Sequence, residues 1–197
     1  MNGKRNFLKA LTGATLIPAV AGAASLTGAA SMVENGRSQF PNVWLKTHEG
    51  KDVRFYDDLL KGKNVLINVM YTACTRSCPP NTASLLQIQE AYGARIGRDI
   101  HMYSLTIQPE LDDPKALAAY VKEHGIKPGW TYLTGRRADI DQARRSLGFF
   151  DSDPARDAQP TRHTGMVRIG KVPLDRWAMV PALSSKEHML AVINGVI

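Results

Sequence analysis

The run Val65-Leu66-Ile67-Asn68-Val69-Met70-Tyr71 is almost unbroken apolar sequence, and the only two cysteines of the chain, Cys74 and Cys78, follow directly after it. A strand that is apolar on both sides of its pleat has to be covered on both faces, which makes this the central strand of an α/β sheet. Pro79-Pro80 and a helix-like stretch come next. A strand that delivers a cysteine pair to the start of a helix is a redox or metal device. Thiolates placed there feel the positive end of the helix dipole. Thiolate is also the form that attacks disulfides and the form that binds soft metals. With no third cysteine, the two pair with each other, with a metal, or with another protein.

The remaining periodicities surround that strand with alternating elements. Asn42 to Lys46 and Val53 to Tyr56 flank Glu49-Gly50-Lys51 as a β-hairpin, closed by a short turn or helical piece from Asp57 to Lys63. A helix is predicted over Thr82 to Ile96, with Leu85, Ile88, Gln89 and Tyr92 on one face. Strands at Ile100 to Ile107 and Trp130 to Leu133 alternate with helices at Lys115 to His124, stopped by Gly125, and at Ala138 to Leu147. A polar loop from Asp151 to Arg162 precedes an antiparallel pair, Met166 to Ile169 and Arg176 to Val180, and a closing helix from Ser185 to Val196. This order predicts a thioredoxin-like α/β sandwich, a central mixed sheet flanked by helices, with an added N-terminal β-hairpin.

The chain has 197 residues, room for one domain with a sizeable core. Its formal charge is +7, but Lys4, Arg5 and Lys9 fall in the first thirty residues, which carry no acid. The remainder is only modestly basic and has no Lys/Arg run, so nucleic acid is not an expected partner. Those first thirty residues read as an export signal. Positive residues precede an apolar, small-residue stretch, and Lys4-Arg5-Asn6-Phe7-Leu8-Lys9 resembles a twin-arginine signal with Lys in the first arginine position. An ordinary secretory signal and an uncleaved anchor stay open, although Pro18 and the many Gly and Ala make a poor spanning helix. The domain reading is therefore a signal at 1–30, a linker at 31–41 and one domain at 42–197. Export to a periplasm, with possible anchoring to the inner membrane, is the expected location, and there a disulfide is chemically permitted.

Four-residue spacing on a helix puts Cys74 and Cys78 on one face about a turn apart, with room for a metal between the sulfurs and a disulfide within reach. By itself C-x-x-x-C is a weak signal, and without further context a structural disulfide is the better reading of it. His163, at the end of the polar loop just before the Met166 strand, supplies the context.

Together these residues carry a specific likeness. Tyr71-Thr72-Ala73-Cys74-Thr75-Arg76-Ser77-Cys78-Pro79 resembles the Y-T-x-C-x-x-x-C-P motif of the Sco/SenC family. The likeness continues through Gln108-Pro109-Glu110-Leu111-Asp112-Asp113-Pro114, Leu117 to Val121, Leu133-Thr134-Gly135 and His163-Thr164. The resemblance implies a thioredoxin-like fold and copper, Cu(I) or Cu(II), held by Cys74, Cys78 and His163. It further implies a role in assembling the copper centre of cytochrome oxidase, as a metallochaperone or as a thiol reductant of its cysteines. The implied partners are a cuproprotein client such as an oxidase subunit and a thiol reductant protein, met close to a membrane. Thr75-Arg76-Ser77 stands where the family commonly has Pro-Asp-Val, and Gln108 where it usually has Asp. A base replacing an acid between the cysteines is expected to lower thiolate pKa.

The donor chemistry agrees with copper. Two thiolates suit Cu(I), and an added imidazole allows Cu(II); a structural zinc site would normally show four protein ligands. The rival reading is a thiol-disulfide oxidoreductase in which Cys74 and Cys78 are the redox pair, with Cys74, at the strand end, as attacker. A peroxidase is a weaker third. Met70 and Met166 read as core filler rather than thioether ligands. His48, His101, His124 and His188 have no ligand-like spacing.

Overall fold

Residues 39–159 and 164–197 are described by the computed structural model. The apolar run is β3 (Asn64–Met70), and its side chains alternate between two separate cores. Val65, Ile67 and Val69 point into one, Leu66 and Met70 into the other. That double burial explains why the run shows no polar alternation.

Around it lies a seven-stranded sheet in the order β2-β1-β5-β4-β3-β6-β7. β3, β4 (His101–Thr106) and β5 (Trp130–Thr134) are parallel neighbours. β6 (Met166–Lys171) runs antiparallel to β3 and pairs with β7 (Arg176–Pro181). On the other side β1 (Trp44–Thr47) pairs antiparallel with β5 and with β2 (Asp52–Arg54), completing the expected N-terminal hairpin. One face is covered by α1 (Cys78–Tyr92), α2 (Pro114–Glu123) and α5 (Lys186–Val196). α3 (Arg137–Ser146) and a π-helical turn at Phe55–Leu60 cover the other. The mixed sheet with helices on both faces is the architecture expected from the order of elements.

Local differences have physical causes. α1 begins at Cys78, four residues before the expected start, because proline is well accommodated in a first helical turn, where its missing N–H is not needed. Its buried face contains the expected Leu85, Ile88, Gln89 and Tyr92. Gln89 is buried without penalty, since its amide donates to the Lys127 carbonyl at 2.7 Å and accepts from the Lys127 N–H at 3.1 Å. In the polar loop a single helical turn, α4 (Pro154–Asp157), starts at Asp153, whose carboxylate accepts from the Ala155 N–H. Phe40, which falls in the expected linker, is buried and packs against Trp177 with ring centroids 5.0 Å apart. The expected export signal lies outside the described residues. Among the described residues no helix is long and apolar enough to cross a membrane.

Candidate functional site

The parallel strands β3 and β4 end together, and the chain leaves β3 into a tight turn in which the Cys74 N–H donates to the Tyr71 carbonyl at 3.2 Å. Four residues later α1 starts. Only Cys78 is helical; Cys74 sits in the preceding turn, so the pair is brought together by a turn against a helix start and not by one helix face. Neither forms a disulfide, and they are 5% and 2% exposed.

The prolines shape this helix start. An α-helix leaves its first N–H groups without intrahelical partners. Pro79 and Pro80 have none to offer, so the Cys78 N–H is the first-turn donor that needs an acceptor. It finds the Cys74 sulfur at 3.3 Å. Ser77, the residue at the N-cap position, does not cap with its side chain; its hydroxyl lies 3.4 Å from the same sulfur. Cys74 Sγ therefore occupies the place of the capping oxygen, at the positive end of α1.

The electrostatic result is a strongly asymmetric pair. Burial raises the Cys74 pKa, but hydrogen bonds from the Ser77 hydroxyl, the Cys78 thiol and the N–H groups of Cys78 and Arg76 outweigh it and bring it down to about 6. For Cys78, burial dominates. A backbone hydrogen bond at Tyr71 works against it, the neighbouring Cys74 sulfur adds to it, and the pKa rises to about 12. Near neutral pH the site is one thiolate sharing a proton donor with one thiol. Arg76 contributes to this lowering through its backbone N–H.

His163, the third residue expected here, lies outside the described residues together with Pro160, Thr161 and Arg162. Thr164 and Gly165 are described on its far side, and the Gly165 carbonyl accepts from the Ala182 N–H at 2.7 Å. Among the described residues no group of three or more His, Cys, Asp and Glu side chains gathers as a metal site. The other candidates are structural. Met70 is core, and Met166 packs against the second core. His48 accepts from the Tyr132 N–H at 3.2 Å, and burial lowers its pKa. His124 stacks on Tyr120 at 3.9 Å, and His101 stacks on Tyr103.

Two features escaped the sequence. One is the hydroxyl of Ser77, whose signal was its place just before a Cys-Pro-Pro helix start. The other is a cavity of about 610 Å³ beside the strand ends, lined by Val69, Ile107, Gln108, Leu111, Phe150 and Thr164 among others. Gln108 Oε1 is buried and has no hydrogen-bond partner among the described residues.

Comparison with known proteins decides the lineage. The SCO1/SenC family model matches residues 24–197. The chain belongs to the SCO1/SenC family. It is 31% identical over 128 residues to the SCO1 protein homolog of Bacillus subtilis, across 64% of this chain and 65% of that protein. To the mitochondrial SCO1 homolog of Homo sapiens it is 32% identical over 114 residues, 57% of this chain and 36% of that one. The matches thus span less than two thirds of these relatives' own length. The solved structure of Bradyrhizobium japonicum ScoI with copper bound superposes with a TM-score of 0.63 at 23% identity, covering 78% of this chain and 96% of that one. That likeness establishes the shared SCO1/SenC fold.

Proposed function

We propose that this protein is an exported copper-binding assembly factor. It accepts one copper ion as cargo on Cys74, Cys78 and His163 and hands it to a cytochrome oxidase subunit or another exported cuproprotein. The observation that carries the reading is the reduced, hydrogen-bonded cysteine pair at the start of α1, in a chain of this family. Two sulfurs held in contact fit a soft, thiophilic ion such as Cu(I). The asymmetry gives a sequence of roles. Cys74, already thiolate above about pH 6, meets the cation first. Cys78 keeps its proton until a positive charge offsets burial and the neighbouring sulfur, and then releases it. His163 completes a donor set that also supports Cu(II).

A disulfide between the same two residues excludes copper, so the protein depends on a thiol reductant wherever oxidation competes. The twin-arginine-like segment at Lys4-Arg5 supports a periplasmic, membrane-proximal place of work.

The testing experiment mixes the copper-loaded protein, under anaerobic conditions, with the reduced, copper-free soluble domain of an oxidase copper-centre subunit. Transfer of copper to the acceptor, with the Cys74–Cys78 pair left as thiols, is the expected result. If copper stays where it is, and in a second arm the copper-free reduced protein reduces an oxidised acceptor at the expense of a new Cys74–Cys78 disulfide, thiol-disulfide exchange is the function instead.

A further inference from the structure

Asp112 is fully buried at the start of the segment leading into α2, and among the described residues the hydrogen bonds to its carboxylate come from neutral donors. The Thr72 N–H donates to both oxygens, at 3.3 and 3.2 Å. The Thr72 hydroxyl donates to Oδ1 and the Thr106 hydroxyl to Oδ2, both in short contacts. The carboxylate is fixed in turn from behind. Its own N–H donates to the Gln108 carbonyl at 2.9 Å, and the Gln108 N–H donates to the Thr106 hydroxyl at 2.9 Å. A buried carboxylate is costly unless hydrogen bonds replace its hydration, and here they converge from two strand ends.

The geometry has a direction. Thr106 is the last residue of β4, part of the rigid parallel sheet, whereas Thr72 is the second residue of the turn that ends at Cys74. Asp112 bridges the sheet to that turn. The turn carries Cys74 Sγ to the Cys78 N–H at 3.3 Å and the Ser77 hydroxyl at 3.4 Å. We propose that Asp112 is a positioning residue for the cysteine pair, acting through Thr72 to hold the Cys74 turn against the start of α1. Freed from this tether, the turn loses the contacts that hold Cys74 Sγ at the start of α1 and gains the freedom to close a disulfide. The inference rests on Cys74 and Cys78 being the working pair, but not on their binding copper.

The test is the equilibrium of the copper-free full-length protein with glutathione. One oxidised glutathione takes two electrons from the dithiol, giving the Cys74–Cys78 disulfide and two reduced glutathiones. Asp112→Ala and Thr72→Val are each expected to favour the disulfide at least tenfold over wild type, about 30 mV for a two-electron couple. Thr106→Val removes a donor to the same carboxylate on the sheet side and leaves the Thr72 contacts in place. It is expected to lower the thermal midpoint while shifting the glutathione equilibrium less than threefold. Thr72→Val deletes one hydroxyl and keeps the reading available if Asp112→Ala does not fold. An unchanged equilibrium in Thr72→Val, or equal shifts in Thr72→Val and Thr106→Val, overturns the proposal. Because no copper is used, these outcomes stand whether or not the copper-handling reading survives.

Discussion

In the reduced, metal-free protein an alkylating reagent is expected to find Cys74 and pass over Cys78. With pKa values near 6 and 12, the two thiols differ in thiolate population at pH 7 by a factor of roughly 10⁵. Intrinsic nucleophilicity runs the other way. It rises with pKa at a Brønsted slope of about 0.4–0.5, so six units of pKa return a factor of roughly 10²·⁵ to 10³ to Cys78. The net preference is about 10²-fold for Cys74, and burial reinforces it, since Cys78 is the less exposed. The assay is substoichiometric iodoacetamide at pH 7, an acid quench, and quantification of the two modified positions by peptide mass spectrometry. The Cys74 rate should also fall as pH drops through about 6, the value set by its hydrogen bonds. Equal labelling of the two cysteines, or a Cys74 rate that keeps rising through the range of an ordinary thiol near pH 8.5, would refute the capping argument.

Three further outcomes are expected. Ser77→Ala removes one donor to Cys74 Sγ and should raise the pH midpoint of its alkylation by about 1–2 units, the worth of one hydrogen bond to a charged sulfur. Asp157 accepts two bonds from Arg144 and one from Arg145, and the Arg144 bonds chiefly hold its pKa down to about 2. A depressed carboxylate stabilises the fold above its unfolded value near 4 and loses that contribution as pH falls towards 2. Arg144→Met should therefore cost about 2 kcal/mol in urea unfolding at pH 7 and much less near pH 2. Gly129 has φ +92°, and a Cβ there would lie 2.6 Å from the Gly97 nitrogen and 2.7 Å from the Ile96 carbonyl carbon. Gly129→Ala should destabilise by more than about 2 kcal/mol, read as a fall in the urea midpoint.

Much of this architecture was legible because its strongest signals are local. Val65 to Met70 advertises burial on both faces, and Leu85, Ile88, Gln89 and Tyr92 advertise one helix face; both patterns survive folding unchanged. The hairpin was readable from Glu49-Gly50-Lys51 for the same reason, with Gly50 supplying the positive φ the turn requires. The start of α1 was not, because Pro79-Pro80 reads as a break when it is the opening of a helix. The state of the cysteines depends on contacts that spacing does not encode. That the Arg76 backbone N–H reaches Cys74 follows from the turn, and so does the use of a sulfur as helix cap. Asp112 was visible as one acid among several in Glu110-Leu111-Asp112-Asp113. Only the fold separates it from Asp113, whose carboxylate caps α2 by accepting from the Ala116 N–H at 2.7 Å. Such long-range hydrogen bonds, forty residues apart between Thr72 and Asp112, carry no periodicity for a sequence to display.

The central claim is that Cys74, Cys78 and His163 together hold one copper ion, and an anaerobic Cu(I) titration of the fully reduced protein against a competing chelator tests it most directly. Wild type should bind one equivalent, Cys74→Ser and Cys78→Ser should lose it, and His163→Ala should bind at least tenfold more weakly. A wild-type protein that fails to compete with the chelator, or a His163→Ala variant that binds as tightly as wild type, would contradict the account.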